Sequence, residues 1–195
     1  MSRKYISTTD TAKLIRKSLK EAFPTTKFSV VSSKYAGGSS IHIRWIDGPT
    51  DAEVSAISDR FAGAYFDGSI DYQGSVYAMM NGEQVHFCAN FVFTKRENSD
   101  QAVTDAIKAL TEKFPGNMRS NPTVEAFRCG RLWSELFFEN GRTPHDSIQT
   151  FISREMAATS YAAPLPSKTA ANIFVTHDDG YSRRSGSGQS VVAHI

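Results

Sequence analysis

Cysteine is scarce: 195 residues hold two, Cys88 and Cys129, far apart and neither in a CxxC pair. That excludes a disulfide-stapled scaffold and a thiolate metal cage. Cys88 sits in the apolar run with Val85, Phe87 and Phe91, and Cys129 follows Phe127 in a helical pattern, so both read as buried free thiols. No apolar run approaches the roughly 18 residues that a membrane-crossing helix needs. The opening MSRKYISTTD carries cations with no apolar segment behind them, which reads against a secretory leader and places the chain in the cytoplasm of a bacterial host. The five histidines, His42, His86, His145, His177 and His194, form no HxH or HxxxH pair, so no metal site is expected. There is no GxSxG. The Gly/Ser run Ala36-Gly37-Gly38-Ser39-Ser40 leads from a strand into a strand, where a phosphate loop leads into a helix. Asp67, Gly68 and Asp71 resemble an incomplete calcium loop without its closing Glu and read as a turn. No catalytic residue and no cofactor is assigned, and a binding protein is expected over an enzyme.

Acidic residues are scarce in the first quarter. Residues 1–46 hold 9 Lys/Arg against 2 Asp/Glu, whereas the whole chain has a formal net charge of only +2. Residues 47–99 swing the other way, with 3 basic and 8 acidic residues. Within the basic quarter Lys13, Arg16, Lys17 and Lys20 fall at helical spacing, opposite the apolar stripe of Ala12, Ile15, Leu19, Ala22 and Phe23. A concentrated cationic face of this kind meets something negative.

Periodicity supplies the elements. Thr8, Thr9 and Asp10 are helix-cap residues ahead of a helix over 10–23, which Pro24 ends. Residues 27–32 and 41–46 alternate as strands, joined through Gly37-Gly38 into a hairpin with a long, flexible tip. Thr50 or Asp51 caps a second helix bearing Val54, Ile57 and Phe61. Residues 64–66 and 69–72 read as short strands or ordered loop. Residues 85–95 read as one long strand with Phe87, Ala89, Phe91 and Phe93 on one side, and Asn81-Gly82 points to a hairpin with 75–80. Further helices are expected over 100–114, 123–139 (closed by Asn140-Gly141) and 146–158. After Tyr161 the Pro, Ser and Gly content predicts a poorly ordered tail, in which 172–176 is the one segment suited to docking on a sheet edge. The predicted fold class is α+β, a small, mainly antiparallel sheet packed with helices. The predicted organisation is an α+β domain over 1–114, a helical extension over 115–161 and a tail over 162–195.

The block ISTTDTAKLIRKSLKEAFPTTKFSVVSSKYAGGSSIHIRWIDGPT, with AEVSAI, FDG and FVFTKR after it, resembles the large polyvalent protein-associated domain of type twenty-nine over about residues 6–96. The resemblance implies a context: such domains occur in very large proteins of phages and conjugative elements, which enter a new host with the invading DNA and counter its defences. It brings no catalytic residues. Taken as a small stand-alone protein, the chain is expected to be a dedicated effector.

Together these readings predict a counter-defence protein that binds and inhibits a host defence complex. An anti-CRISPR that blocks target-DNA binding or effector recruitment is the foremost form. The alternative is a nucleic-acid-binding accessory protein of incoming mobile DNA that uses the basic helix. The expected partner-binding residues are Lys13, Arg16, Lys17, Lys20, Lys34, Tyr35 and Arg44, with Arg3, Lys4 and Lys27 as extensions. A protein partner and DNA or RNA stay open at this point. The acidic segment 47–99 offers a weaker route, imitation of nucleic-acid phosphates in a Lys/Arg channel.

Overall fold

The computed structural model describes residues 4–118, 120–138 and 146–181. Arg3, His145, His194, Asn140-Gly141 and the last part of the expected tail lie outside them. The fold is α+β, and the chain divides into two compact units: Met1–Trp45, Asp51–Lys95 and Ala162–Ile195 in the first, Ile46–Thr50 and Arg96–Tyr161 in the second. Thus the segment 100–113 belongs with the second unit, and the segment after Ala162 belongs with the first.

In the first unit, helix α1 (Thr8–Ala22) starts at Ser7, whose hydroxyl accepts from the Asp10 backbone N–H. Its apolar stripe, Ala12, Ile15, Leu19, Ala22 and Phe23, is buried, as the spacing predicts. It packs in one core with Val30, Ile41, Ile43 and Trp45 from the hairpin β2 (Ser29–Tyr35) and β3 (Gly38–Ile46). The hairpin register runs to Tyr35 opposite Gly38, so the tip is a two-residue turn, Ala36-Gly37, with Gly37 at φ 92°. Glycine at that left-handed position closes the turn tightly, where a long loop was expected. Helix α2 (Asp51–Ser58) buries Val54, and the 3-10 turn after it buries Phe61.

The expected long strand over 85–95 is two strands in two sheets. β6 (Glu83–Phe87) joins β1 (Lys4–Ile6), β4 (Ala64–Asp67) and β5 (Tyr72–Met80), and β7 (Phe91–Glu97) joins β2 and β3. The crossing at Cys88–Asn90 is held by backbone bonds to three other segments: the Cys88 N–H donates to Ile6 O, the Asn90 N–H to Ser39 O, and the Gly63 N–H to Ala89 O. It also flips the alternation. Phe87 and Ala89 are buried, yet beyond the crossing Val92 packs on the core and Phe93 is exposed. β1 pairs with β6 in parallel, while the other registered pairs are antiparallel. Asn81 (φ 52°) and Gly82 (φ 81°) form the turn expected between β5 and β6.

Gly63 sets the distance of closest approach. A methyl group there would sit 1.8 Å from the Phe87 carbonyl oxygen, which is itself in a strand and cannot swing aside. Gly63→Ala is therefore expected to cost several kcal/mol, the scale of overpacking against backbone. Thermal unfolding followed by circular dichroism checks this. A melting temperature close to that of the parent would contradict it.

Residues read as tail are structured up to Tyr181. Helix α6 (Lys168–Ala171) and β8 (Ile173–Asp178) complete the first unit, with β8 antiparallel to β5. The docking expected of 172–176 occurs. Two carboxylates fasten this segment. Glu21 on α1 accepts from the Thr169 N–H, the Thr169 hydroxyl and the Ser167 hydroxyl, each at 2.9 Å. Asp179 accepts from the hydroxyls of Tyr65 (2.7 Å) and Tyr72 (2.9 Å) and from the Ser75 N–H (2.7 Å).

The Thr169 N–H, the largest influence, holds the Glu21 carboxyl below its usual range. A depressed folded-state pKa gives stability that is complete above the ordinary value of 4.5 and lost as pH falls through the folded value. Glu21→Gln should cost about 1 kcal/mol near neutral pH, discounted for its partial exposure. That difference should close in acid below the ordinary glutamate range. Paired thermal melts across this range test it, and a gap independent of pH would contradict it.

In the second unit, helix α3 (Asp100–Lys113) forms where the helix over 100–114 is expected and is capped by Ser99, whose hydroxyl accepts from the Ala102 N–H. The expected helix over 123–139 stops early. α4 (Val124–Arg128) ends before Gly130, which at φ 74° turns the chain into a 3-10 segment over Arg131–Ser134. Cys129, expected buried, is exposed there, and Cys88 is partly buried. α5 (Ile148–Ala158) is capped by Ser147, and Val103, Leu110, Leu132, Phe137, Ile148 and Ile152 form this unit's core.

Arg96 ties the second unit's chain segments together. Its guanidinium donates to four carbonyl oxygens: Asp47 (2.8 Å), Gly48 (3.3 Å), Met156 (3.0 Å) and Thr159 (2.9 Å). Asp47 in turn accepts from the Ser99 N–H at 2.9 Å, and the Tyr161 N–H donates to Gly48 O at 2.8 Å.

Candidate functional site

Four of the expected contact residues share one face of α1. Lys13, Arg16, Lys17 and Lys20 are all exposed, on the side of the helix away from its buried stripe. Steps of three and four residues bring successive side chains within about 5–6 Å of each other at Cβ. The cations are not equivalent. Lys13 Nζ lies 2.9 Å from Asp10 Oδ1, and that hydrogen bond holds the Asp10 carboxyl below its usual range. Arg16 donates from Nη2 to the Val30 carbonyl at 2.7 Å, which anchors the guanidinium against β2. Lys20 stands in the last helical turn, where a cation suits the helix dipole. Helix and strand pack through a shared core, so the row rides on a fixed support.

The hairpin residues divide between the two sides of the sheet. Val30 and Ile43 are paired and buried on the α1 side, and alternation puts Lys34 on that same side. Tyr35, opposite Gly38, and Arg44, opposite Ser29, project from the other side. The single patch drawn from sequence is thus two faces, one helical and one on the open side of the sheet. Lys4, suggested as an extension, lies 3.8 Å from Glu83 on β6. Lys27 is exposed just before β2.

The open side carries residues that sequence reading left unassigned. Phe93 on β7 stacks on His42 of β3, ring centroids 5.2 Å apart and 29° between planes. Phe91 lies 6.0 Å from Phe93. The signal was present in the alternation of β3, which puts His42 and Arg44 outward. It was hidden in β7 because the crossing at 88–90 reverses which residues face out.

Among the described residues no three His, Cys, Asp or Glu side chains come together as a metal cage. Asp67 accepts from the Ser69 N–H and hydroxyl inside the β4–β5 turn, as a turn residue does. No described helix is long and apolar enough to cross a membrane. The two faces offer charge, hydrogen-bond donors and aromatic surface.

No curated protein and no solved structure matches the chain. Residues 6–99 match the family model large polyvalent protein associated domain 29, from Ile6 at the end of β1 to Ser99, the cap of α3. Helix α6 and strand β8, which complete the first unit, lie beyond the matched segment. The stretch that carries α1, both hairpins and the two candidate faces is a domain of the large polyvalent protein associated domain 29 family, a family of phage and mobile-element proteins.

Proposed function

We propose that the protein is a counter-defence factor of a phage or mobile element, which binds a host defence complex and inhibits it. A CRISPR–Cas effector is the foremost target, blocked at target-DNA binding or effector recruitment. One observation carries the reading: four exposed cations in a row on α1, held rigid by a shared core, in a domain of a mobile-element family. Such a row complements an acidic protein surface and speeds encounter with it. Lys13, Arg16, Lys17 and Lys20 make the contact face, with Lys34 at its margin.

The test is co-purification with candidate defence complexes, joined to a target-DNA binding assay with and without the protein. Stable association and lost target-DNA binding are the expected results. No complex and no protection of invading DNA would overturn the proposal.

The second reading keeps the same helix but assigns it nucleic acid, as an accessory protein of incoming mobile DNA. It is favoured by Lys34, a further cation on the helix side of the sheet. It predicts affinity for bare DNA or RNA that falls steeply with salt.

A further inference from the structure

We propose that the open face of the β2-β3-β7 sheet binds single-stranded nucleic acid by stacking bases on its aromatic rings. This site is separate from α1, which packs on the opposite side of the same sheet, and it does not rest on the defence-complex reading. Three observations converge.

The first is unspent aromatic surface. Phe93 and Tyr35 are each 50% exposed, and Phe91 and His42 are partly buried beside Phe93. Phe93 and His42 already stack on one another, so the platform is preformed and little side-chain entropy is lost on adding a base. Tyr35 stands across from Gly38, and the space that a Cβ of Gly38 would occupy lies 3.2 Å from its ring. The Tyr35 ring thus lies along the bare backbone at the hairpin end. His42 is four residues from Gly38 on β3, so the two platforms stand about 13 Å apart along the strand.

The second observation is charge. Arg44, two residues from His42 on β3, and Lys95, two residues from Phe93 on β7, are exposed on this face. Among 29–35, 38–44 and 91–95 the outward residues include no Asp or Glu, and the next outward position on β7 is the exposed Glu97; beside the aromatics and cations they are Ser29, Val31, Ser33, Gly38 and Ser40, the last buried and bonded to His42. A phosphate chain therefore meets Arg44, Lys95 and the exposed hydroxyls of Ser29 and Ser33, with the Glu97 carboxylate at the far end of β7. An acidic protein would find only two cations here, whereas exposed rings flanked by cations suit stacked bases on a charged backbone.

The third observation is rigidity. The face is backed by Val30, Ile41 and Ile43 in the first unit's core, so the rings are carried on strands. Base–aromatic stacking is sequence-tolerant, so the ligand class is single-stranded DNA or RNA of mixed sequence; a duplex keeps its bases stacked inside.

The experiment is fluorescence anisotropy of the full chain with a labelled short oligothymidine, an oligouridine and a duplex of the same length. The single strands should bind more tightly than the duplex. Phe93→Ala and Tyr35→Ala should each weaken single-strand binding about tenfold, and Phe93→Tyr should restore it. Arg44→Ala should lower the salt slope by about one. The Tyr35 variant, at a hairpin end, gives the reading if Phe93→Ala unfolds. Reversal of Lys13, Lys17 and Lys20 should leave the preference for single strands in place. No single-strand binding at low salt, equal affinity for the duplex, or unchanged affinity in folded Tyr35→Ala and Phe93→Ala would overturn the site. So would loss of single-strand binding on the α1 reversal alone, which would put the nucleic acid on the helix.

Discussion

Arg96→Ala is expected to destabilise the second unit by about 3 kcal/mol, a fall in melting temperature of about 10 °C for a chain of this size. Arg96 is a hub of donors to backbone acceptors. The guanidinium supplies bonds to the carbonyls of Asp47, Gly48, Met156 and Thr159. Met156 stands in the last turn of α5 and Thr159 just past its end, where carbonyls lack the partner four residues on that the helix interior supplies; Met156 O keeps a bond of 3.3 Å from the Thr159 N–H. Removing the side chain takes this donor from the Asp47 and Thr159 carbonyls and leaves Gly48 and Met156 with one backbone donor each, the Tyr161 and Thr159 N–H groups. Arg96 also lies over the Tyr161 ring, with Cζ 5.8 Å from its centroid. Arg96→Lys keeps the charge and loses the planar fork, so it should recover less than half of the loss. Hydrogen exchange should locate the damage in 96–118 and 146–161. A melting temperature within about 2 °C of the parent would contradict the role of Arg96 as the tie between these segments.

The sequence made much of the first unit legible, because its signals are local. The stripe Ala12, Ile15, Leu19 and Ala22 needs one helix to be read, and all four side chains are buried. Ile41, Ile43 and Trp45 alternate on one strand and are likewise buried. What local pattern does not carry is the change of partner. Residues 85–95 alternate without a break, so nothing in their hydropathy marks the crossing between sheets; the marks are Gly63 and Ser39, which lie elsewhere in the chain and receive or give the backbone bonds at 88–90. The segment after Tyr161 was misread for a related reason. Its prolines and the run SRRSGSGQS resemble a linker, and its order comes from single carboxylates, Glu21 and Asp179, reached across more than a hundred residues. The candidate faces show the same division. The α1 row was visible as spacing. The separation of Tyr35 and Arg44 from it follows from strand pairing, and the Phe93–His42 platform follows from the reversed alternation of β7.

Reversal of the α1 charges is the second large effect. Lys13→Glu, Lys17→Glu and Lys20→Glu together take the formal net charge from +2 to well below zero, while Arg16 is kept for its bond to Val30. Partner binding should fall at least about 100-fold, mostly through slower association, since steering by a cationic face is worth about 10–1000-fold in on-rate. Stability should change little. The three lysines are exposed, and an exposed pair such as Lys13–Asp10 is worth less than about 1 kcal/mol. A variant that melts like the parent yet no longer binds places the effect on the face; unchanged binding would remove α1 from the interface.

The most direct test of the proposed function is a salt-titrated binding comparison, by surface plasmon resonance, of the native chain with a purified CRISPR–Cas effector complex and with bare DNA and RNA. The expected result is association with the complex that is lost on the α1 reversal and that excludes target DNA. Binding to bare nucleic acid through α1, with a steep salt slope and no affinity for the complex, would contradict it.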